Sequence, residues 1–462
     1  MQLMSDGAHH NKLFSYTVPL WILIVILLLV LGGAVWSYTY LRSPIYQYDL
    51  KAPVIDKPGS IALAYGSSLA LARPDFFASV KNQFIEEKAN FISADLAAMK
   101  VAVYKEGELV KEVPILSKGR EGSWWETPAG LYKIESKEKS HYSTFGHVYQ
   151  PWSMAFQGNF FIHGWPYHDD GTVVPKGYSG GCIRLSDEDA KAVYDEAEVG
   201  WPVLVYEHDY VPDGTAFDLK RPDFAPLAYL AADLSSNFVF VNHESATPLP
   251  IASLTKLMTA LVAAEYINLD SDILITKDMI ATTSLPRLSP GTMVSAYQLL
   301  YPLLLESSNE AAEALARHVG RNYFISLMNR KAAAIGMSQT HFVDPSGAGE
   351  GNISTVEDLF SLAKYISNNR SFVLGITSGK LGNSAYGAAT FKDIQNFNDF
   401  EKNPDFVGGK VGKTTAARET GLYLFDTLIN AQKRRIAIIV LGSDDRKKDA
   451  SEILTFIQQN FQ

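Results

Sequence analysis

Cys182 is the single cysteine of the 462-residue chain, and it sits in the run GYSGGCIRL, Gly177–Leu185. A lone cysteine forms no internal disulfide, so it is either a small buried apolar side chain or a nucleophile. His163 stands nineteen residues upstream and is followed by Gly164. An imidazole beside a thiol can generate and hold a thiolate, the form that attacks in acyl transfer. The glycines before Cys182 allow a tight turn in which the N–H groups of Gly181 and Cys182 face a developing oxyanion. Arg184, two residues on, shares a strand face with Cys182, where it can grip a carboxylate. On spacing alone, a buried thiol and a structural histidine remain the simpler account. The group His163, His168, Asp169 and Asp170 matches no zinc spacing, and nothing in the chain calls for a metal or a cofactor.

A second set of residues points to serine chemistry. Ser253 and Lys256, in SLTK, lie three apart at the start of a helical run and so share a face. A lysine amine beside a serine hydroxyl can take its proton if burial or a cationic neighbour lowers the amine's pKa. The helix N-terminus adds positive potential where an oxyanion would form. A lone S-x-x-K is common on surface helices, but two further pieces follow. Ser307-Ser308-Asn309 opens another helix, and Lys410-Val411-Gly412 comes just before the last strands. S-x-x-K, S-x-N and K-T-G, in that order, are the parts of serine–lysine acyl transferases. A rival third piece, Lys413-Thr414-Thr415, keeps a hydroxyl and loses the glycine. Lys410 is preferred because Gly412 and Thr414 then fall into place.

Both sets resemble known families. From about Ala97 to Tyr206 the chain resembles the L,D-transpeptidase catalytic domain, which remodels bacterial peptidoglycan. His163-Gly164, Ser179, Gly181, Cys182, Ile183 and Arg184 match its signature, and ETPAGLYKI, Glu126–Ile134, matches its Thr-Pro-x-Gly strand entrance. The resemblance implies that Cys182 attacks the third stem-peptide residue, with His163 as base and Ser179, Gly181 and Arg184 around the substrate. Gly180 departs from the family, which has a histidine there. From about Pro226 to Gln462 the chain resembles the D-alanyl-D-alanine carboxypeptidases, the low-molecular-mass penicillin-binding proteins, through IASLTKLMTALVA, LLLESSNEAAEALA and HFVDPSGAGEGNISTVEDL. That resemblance implies Ser253 as nucleophile, Lys256 as its base, Ser307 as proton relay and Asn309 as an orienting group. It implies Lys410, Gly412 and Thr414 beside the substrate. Val411 departs, because it lacks the hydroxyl that the family aims at the substrate carboxylate. If that hydroxyl is essential, the second domain is a peptidoglycan-binding module beside an active first one. Stem peptides are then the partners, with carbapenems expected to acylate Cys182 and penicillins Ser253.

Two unlike domains must position these residues. The 47% hydrophobic and 20% charged content describes a globular chain, and a net charge of −9 argues against nucleic acid as a partner. A tail at 1–17 precedes an uncharged run, Val18–Leu41, long enough to span a bilayer, which needs about 20 apolar residues. A Pro-punctuated connection follows at 42–74, and a second at 209–225. Between them, 75–208 reads as mainly β after an amphipathic helix at Phe76–Ile85, with a hairpin in Met99–Leu116. Residues 226–462 read as α+β: an antiparallel sheet with a helical cluster, including helical patterns at Ala296–Arg317 and Val356–Ile366 and a last helix at Lys447–Phe461. The apolar run makes a membrane anchor the expectation, and the two resemblances imply that both domains lie outside the cytoplasmic membrane.

Overall fold

The computed structural model describes residues 76–144, 146–207, 224–381, 390–429 and 432–461. The tail at 1–17, the apolar run at 18–41 and the connection at 42–74 lie outside the described residues, as does most of the connection at 209–225. Among the described residues no helix is long and apolar enough to cross a membrane.

The first part is β-rich. Helix α1 (Phe76–Glu86) buries Val80 and Phe84. Strands β1 (Phe91–Asp95), β2 (Lys100–Lys105), β3 (Glu108–Pro114) and β4 (Gly130–Lys133) follow. Then come β5 (Ser136–Ser143), β6 (Val148–Gln157), β7 (Phe160–His163), β8 (Ile183–Arg184) and β9 (Pro202–Tyr206). Two sheets result, in the orders β3-β2-β1-β9-β4 and β5-β6-β7-β8. The hairpin turns at Glu106-Gly107, both with positive φ. Val101, Val103 and Val203 of one sheet share a core with Met154, Phe156 and Ile162 of the other. The helix α2 (Asp187–Glu196), capped by the Ser186 hydroxyl on Asp189 N–H, interrupts the run of strands before β9. Its three acidic residues in the first turn suit the positive end of the helix.

The second part is α+β. Strands β10 (Ala228–Asp233) and β11 (Val239–His243) open it. Two short ribbons pair β12 (Leu249–Pro250) with β15 (Ile353–Ser354), and β13 (Asp272–Leu274) with β14 (Met293–Ser295). The long strands β16 (Phe406–Thr414), β17 (Arg418–Ile429) and β18 (Gln432–Ser443) complete an antiparallel sheet in the order β11-β10-β18-β17-β16. Lys410, expected just ahead of the last strands, is thus inside an edge strand. The helices are α3 (Thr255–Tyr266), α4 (Ala296–Leu304), α5 (Asn309–Val319), α6 (Arg321–Ala334), α7 (Val356–Asn369), α8 (Ser371–Thr377) and α9 (Arg446–Asn460). All but α9 belong to the cluster on one face of the sheet, and α9 covers the other face.

The helical pattern at Ala296–Arg317 is two helices rather than one. Ser308 N–H turns back to Pro302 C=O, Ser307 takes φ +58°, and Ser308 Oγ caps Ala311 N–H. The break is what sets Ser307 and Asn309 at a helix start.

The two parts are not beads on a string. They pack as one compact unit. Trp124 and Ala129 of the first part join the core of the second, and Ala334 of the second joins the core of the first.

Candidate active sites

Parallel pairing of β7 with β8 sets Ile162 against Ile183 and His163 against Arg184. Cys182, one residue before β8, therefore lies beside Phe161 of β7. Cys182, His163, Gln150 and Arg184 line one cavity of about 440 Å3. His163 is fully buried, and its Nδ1–H donates to Gly164 C=O at 2.5 Å. That bond leaves Nε2 as the basic nitrogen, buried and without a hydrogen-bond partner. Burial pushes the imidazole down to about 3 and the Cys182 thiol up to about 11. The pair therefore rests as neutral imidazole and neutral thiol. A thiolate at Cys182 would have to be generated at the moment of attack. At rest the thiol points to Asn159 C=O at 3.8 Å.

The turn before Cys182 is held by its neighbours. Ser179 Oγ donates to Cys182 C=O at 2.5 Å and accepts Gly181 N–H at 3.1 Å. Of the two backbone donors expected to face an oxyanion, Gly181 N–H is thus already engaged. Thr127 Oγ1 donates to Gly181 C=O at 2.8 Å and accepts Gly119 N–H at 2.9 Å. The Thr-Pro-x-Gly segment is therefore a clamp on the cysteine turn as well as a strand entrance. Gly180 is exposed at the cavity, where the family's histidine would stand. Nothing in the sequence singles out Gln150, yet it is buried and lines this cavity together with Cys182. The Arg184 guanidinium lies 5.7 Å from the centre of the Trp165 ring and beside Cys182.

In the second part, Ser253 sits on a 3-10 turn, Ala252–Leu254, that runs into α3. Lys256 is fully buried in the first turn of that helix. Its Nζ is 3.0 Å from Ser253 Oγ, 2.9 Å from Asn309 Oδ1 and 2.6 Å from Ser346 C=O. Burial lowers its pKa to about 7. A neutral amine has two hydrogens and one lone pair. Asn309 and Ser346 are acceptors and take the hydrogens, which leaves the lone pair for the Ser253 hydroxyl. Ser307 Oγ is buried without a hydrogen-bond partner.

Strand β16 runs alongside Ser253. A Cβ on Gly412 would lie 2.7 Å from Ser253 N and 2.9 Å from Ala252 Cβ, so only glycine fits. Lys410 is fully buried, its Nζ donates to Val411 C=O at 3.0 Å, and burial followed by the charges of Lys256 and Arg446 lowers its pKa. Lys413 is instead exposed and paired with Glu419. Thr414 Oγ1 accepts Ala417 N–H at 3.1 Å and is occupied in the strand's own turn. The Val411 side chain faces the opposite side of the sheet, in the core with Phe400, Phe406 and Tyr423.

Residues 89–205 match the L,D-transpeptidase catalytic domain family, and residues 215–445 match the D-alanyl-D-alanine carboxypeptidase family. The chain is 31% identical over 257 residues to a D-alanyl-D-alanine endopeptidase of Escherichia coli strain K12, covering 52% of this chain and 79% of the relative. It is 32% identical over 205 residues to the D-alanyl-D-alanine carboxypeptidase DacB2 of Mycobacterium tuberculosis, covering 43% of this chain and 70% of the relative. A solved D-alanyl-D-alanine carboxypeptidase from Mycobacterium tuberculosis H37Rv aligns at 27% identity and a TM-score of 0.45, over 54% of this chain and 96% of that one. The chain belongs to the D-alanyl-D-alanine carboxypeptidase family, and it carries an L,D-transpeptidase catalytic domain ahead of the domain that places it there.

Proposed function

We propose that this chain is a bifunctional, membrane-anchored enzyme of peptidoglycan stem peptides, with both domains on the extracytoplasmic side. The observation that carries the reading is the pairing of two nucleophiles with two bases in one molecule: Cys182 with His163 in one cavity, and Ser253 with the Lys256 amine at 3.0 Å.

In the first site, Cys182 passes its proton to His163 Nε2 as Sγ attacks the carbonyl of the third stem residue. The C–N bond to the terminal D-alanine breaks, and the leaving amine takes the proton back. An amine from a neighbouring stem then resolves the thioester and forms the cross-link, while water as acceptor gives hydrolysis. Gln150 supplies a hydrogen-bond donor near the sulfur in place of the histidine missing at Gly180. Arg184 grips a substrate carboxylate.

In the second site, Lys256 takes the Ser253 proton as Oγ attacks the penultimate carbonyl, and water resolves the acyl-serine. Asn309 orients the amide, and Ser307, Lys410, Gly412 and Thr414 line the substrate path. Because Val411 faces away from Ser253, its missing hydroxyl does not by itself argue for a silent domain. Pentapeptides trimmed at Ser253 are tetrapeptides, the donors that Cys182 requires, so one chain makes its own substrate. The names of the relatives leave both carboxypeptidase and endopeptidase action open for the second site.

The test is a muropeptide digest by the full-length chain in detergent, with Cys182→Ala and Ser253→Ala variants. Tetrapeptides should yield L,D-linked dimers only with Cys182 present, and pentapeptides should lose D-alanine only with Ser253 present. If Ser253→Ala makes L,D-linked dimers from pentapeptides as fast as wild type, the relay between the sites fails. A fluorescent penicillin should label Ser253, and a carbapenem should form a thioester at Cys182.

A further inference from the structure

Helix α3 begins beside Ser253 and Lys256, and its other end reaches the Cys182 cavity. Ala264, Glu265, Ile267 and Asn268 form part of that cavity's wall, opposite residues of the first domain. At 1.5 Å per residue, Lys256 and Ala264 are about 12 Å apart along the axis. One helix thus borders both nucleophiles.

The wall is held firmly against the first domain. Gly158, between β6 and β7, comes so close that a Cβ there would lie 2.5 Å from Glu265 C=O. Gln157 Nε2 donates to Glu265 Oε2 at 2.9 Å, and Gln157 Oε1 accepts the Tyr266 hydroxyl at 2.9 Å. Glu265 is fully buried and is met by Lys331 at 2.8 Å and Arg370 at 3.3 Å. Arg370 Nη1 also donates to Glu126 C=O at 2.6 Å, next to the Thr127 clamp on the cysteine turn. A buried carboxylate with two cations and two neutral partners, Gln157 and the Tyr365 hydroxyl, has one arrangement that satisfies it, so the helix end is fixed in place.

Beyond that fixed point the wall offers chemistry. Ile267 is buried and apolar. Asn268 Oδ1 accepts Asp270 N–H at 3.1 Å, so its NH2 is the end it can offer a ligand. Arg184 supplies a cation to the same cavity from the first domain.

The geometry points to a peptide subsite for Cys182 that is supplied by the carboxypeptidase domain: Ile267 packs on the bound stem peptide, and the Asn268 amide donates to one of its carbonyl oxygens. The inference rests on Cys182 as the acylated nucleophile, and it makes the L,D site incomplete without the second domain. Asn268 and Ile267 are then specificity-determining residues for a reaction centred in another domain.

The experiment uses the full chain with Asn268→Ala and Ile267→Trp. Tetrapeptide turnover at Cys182 should fall about fivefold to tenfold in Asn268→Ala, through KM rather than kcat, as for one lost hydrogen bond. Ile267→Trp, which fills the cavity, should lower kcat/KM further. Penicillin acylation of Ser253, at the other end of the same helix, reports whether each variant is folded. A readout independent of turnover comes from the single cysteine: alkylation at pH 9 by a tetrapeptide-linked chloroacetamide relative to free iodoacetamide. The ratio should fall about fivefold or more in both variants. An unchanged ratio and unchanged KM in folded Asn268→Ala and Ile267→Trp would overturn the subsite. A wild-type chain with no turnover overturns the Cys182 reading instead, and the alkylation ratio still judges the subsite.

Discussion

At the two proposed sites the candidate bases Lys256 and His163 and the thiol of Cys182 have a pKa moved far by burial. Lys256 titrates at about 7, and only its neutral form can take the Ser253 proton. The base form grows as pH rises, so penicillin acylation of Ser253 should climb about tenfold per pH unit below 7 and level off above it. A profile with its midpoint near the ordinary lysine value would contradict this. Cys182 and His163 are moved in opposite senses, the thiol to about 11 and the imidazole to about 3. An exposed thiol near pKa 8.5 holds about 300 times more thiolate at pH 7. Iodoacetamide should therefore modify Cys182 at least a hundredfold more slowly than a free thiol at that pH. Rapid labelling at pH 6 would show a standing ion pair. The candidate nucleophiles and bases are singled out in the sequence by the resemblance of whole motifs, since spacing alone leaves Cys182 and His163 as a structural pair and S-x-x-K as a common surface pattern. Gln150 is not singled out, because its relation to Cys182 exists only once β6 and the cysteine turn are brought together. The rest state of the thiol was also invisible, since spacing says nothing about desolvation.

Elements carry these groups to their places, and two contacts are the most exposed to test. Thr127 joins the segment before β4 to the cysteine turn by way of Gly181 C=O. Thr127→Val keeps the shape and removes that bond, and it also strips Gly119 N–H of its acceptor. A cost of about 1–3 kcal/mol is expected, read as lower Cys182 turnover with Ser253 acylation unchanged. On β16, Gly412→Ala puts a methyl 2.7 Å from Ser253 N. A displacement on the order of 1 Å at a nucleophile can cost about a hundredfold, so penicillin acylation should fall by that order. The hairpin β2–β3 could be read from apolar alternation around turn residues. A helix start at Ser307-Ser308-Asn309 could be read too, but where α4 ends ahead of it could not. Ala296–Arg317 keeps an apolar helical period across it, and the break comes from the local bonding of Pro302, Ser307 and Ser308. The choice between Lys410 and Lys413 likewise needed the strand, which buries one and exposes the other.

At the scale of the whole molecule, two domains that the sequence separates by a Pro-rich connection share cores and a buried ionic centre. Glu265 is kept ionised against the penalty of burial by Lys331 and Arg370. Glu265→Gln leaves two buried cations facing a neutral amide. Removing one partner of such a cluster costs about 3–5 kcal/mol, to be read as a lower urea midpoint, with the Cys182 reaction more impaired than acylation of Ser253. This joint was hidden from sequence reasoning because its members, Glu126, Gln157, Glu265, Lys331 and Arg370, are far apart in the chain and only Glu126 lies in a motif, where nothing marks it as a partner of the others. The wall that the second domain adds to the Cys182 cavity also has a chemical consequence for the enzyme's lifetime. Peroxide oxidises thiolates, and selects those that are exposed. A protonated sulfur enclosed by two domains offers little of either, so the nucleophile is spared sulfenic acid formation between turnovers without a resolving cysteine. Hydrogen peroxide should inactivate the wild-type Cys182 reaction slowly at neutral pH, and faster in Glu265→Gln, where the enclosure is loosened.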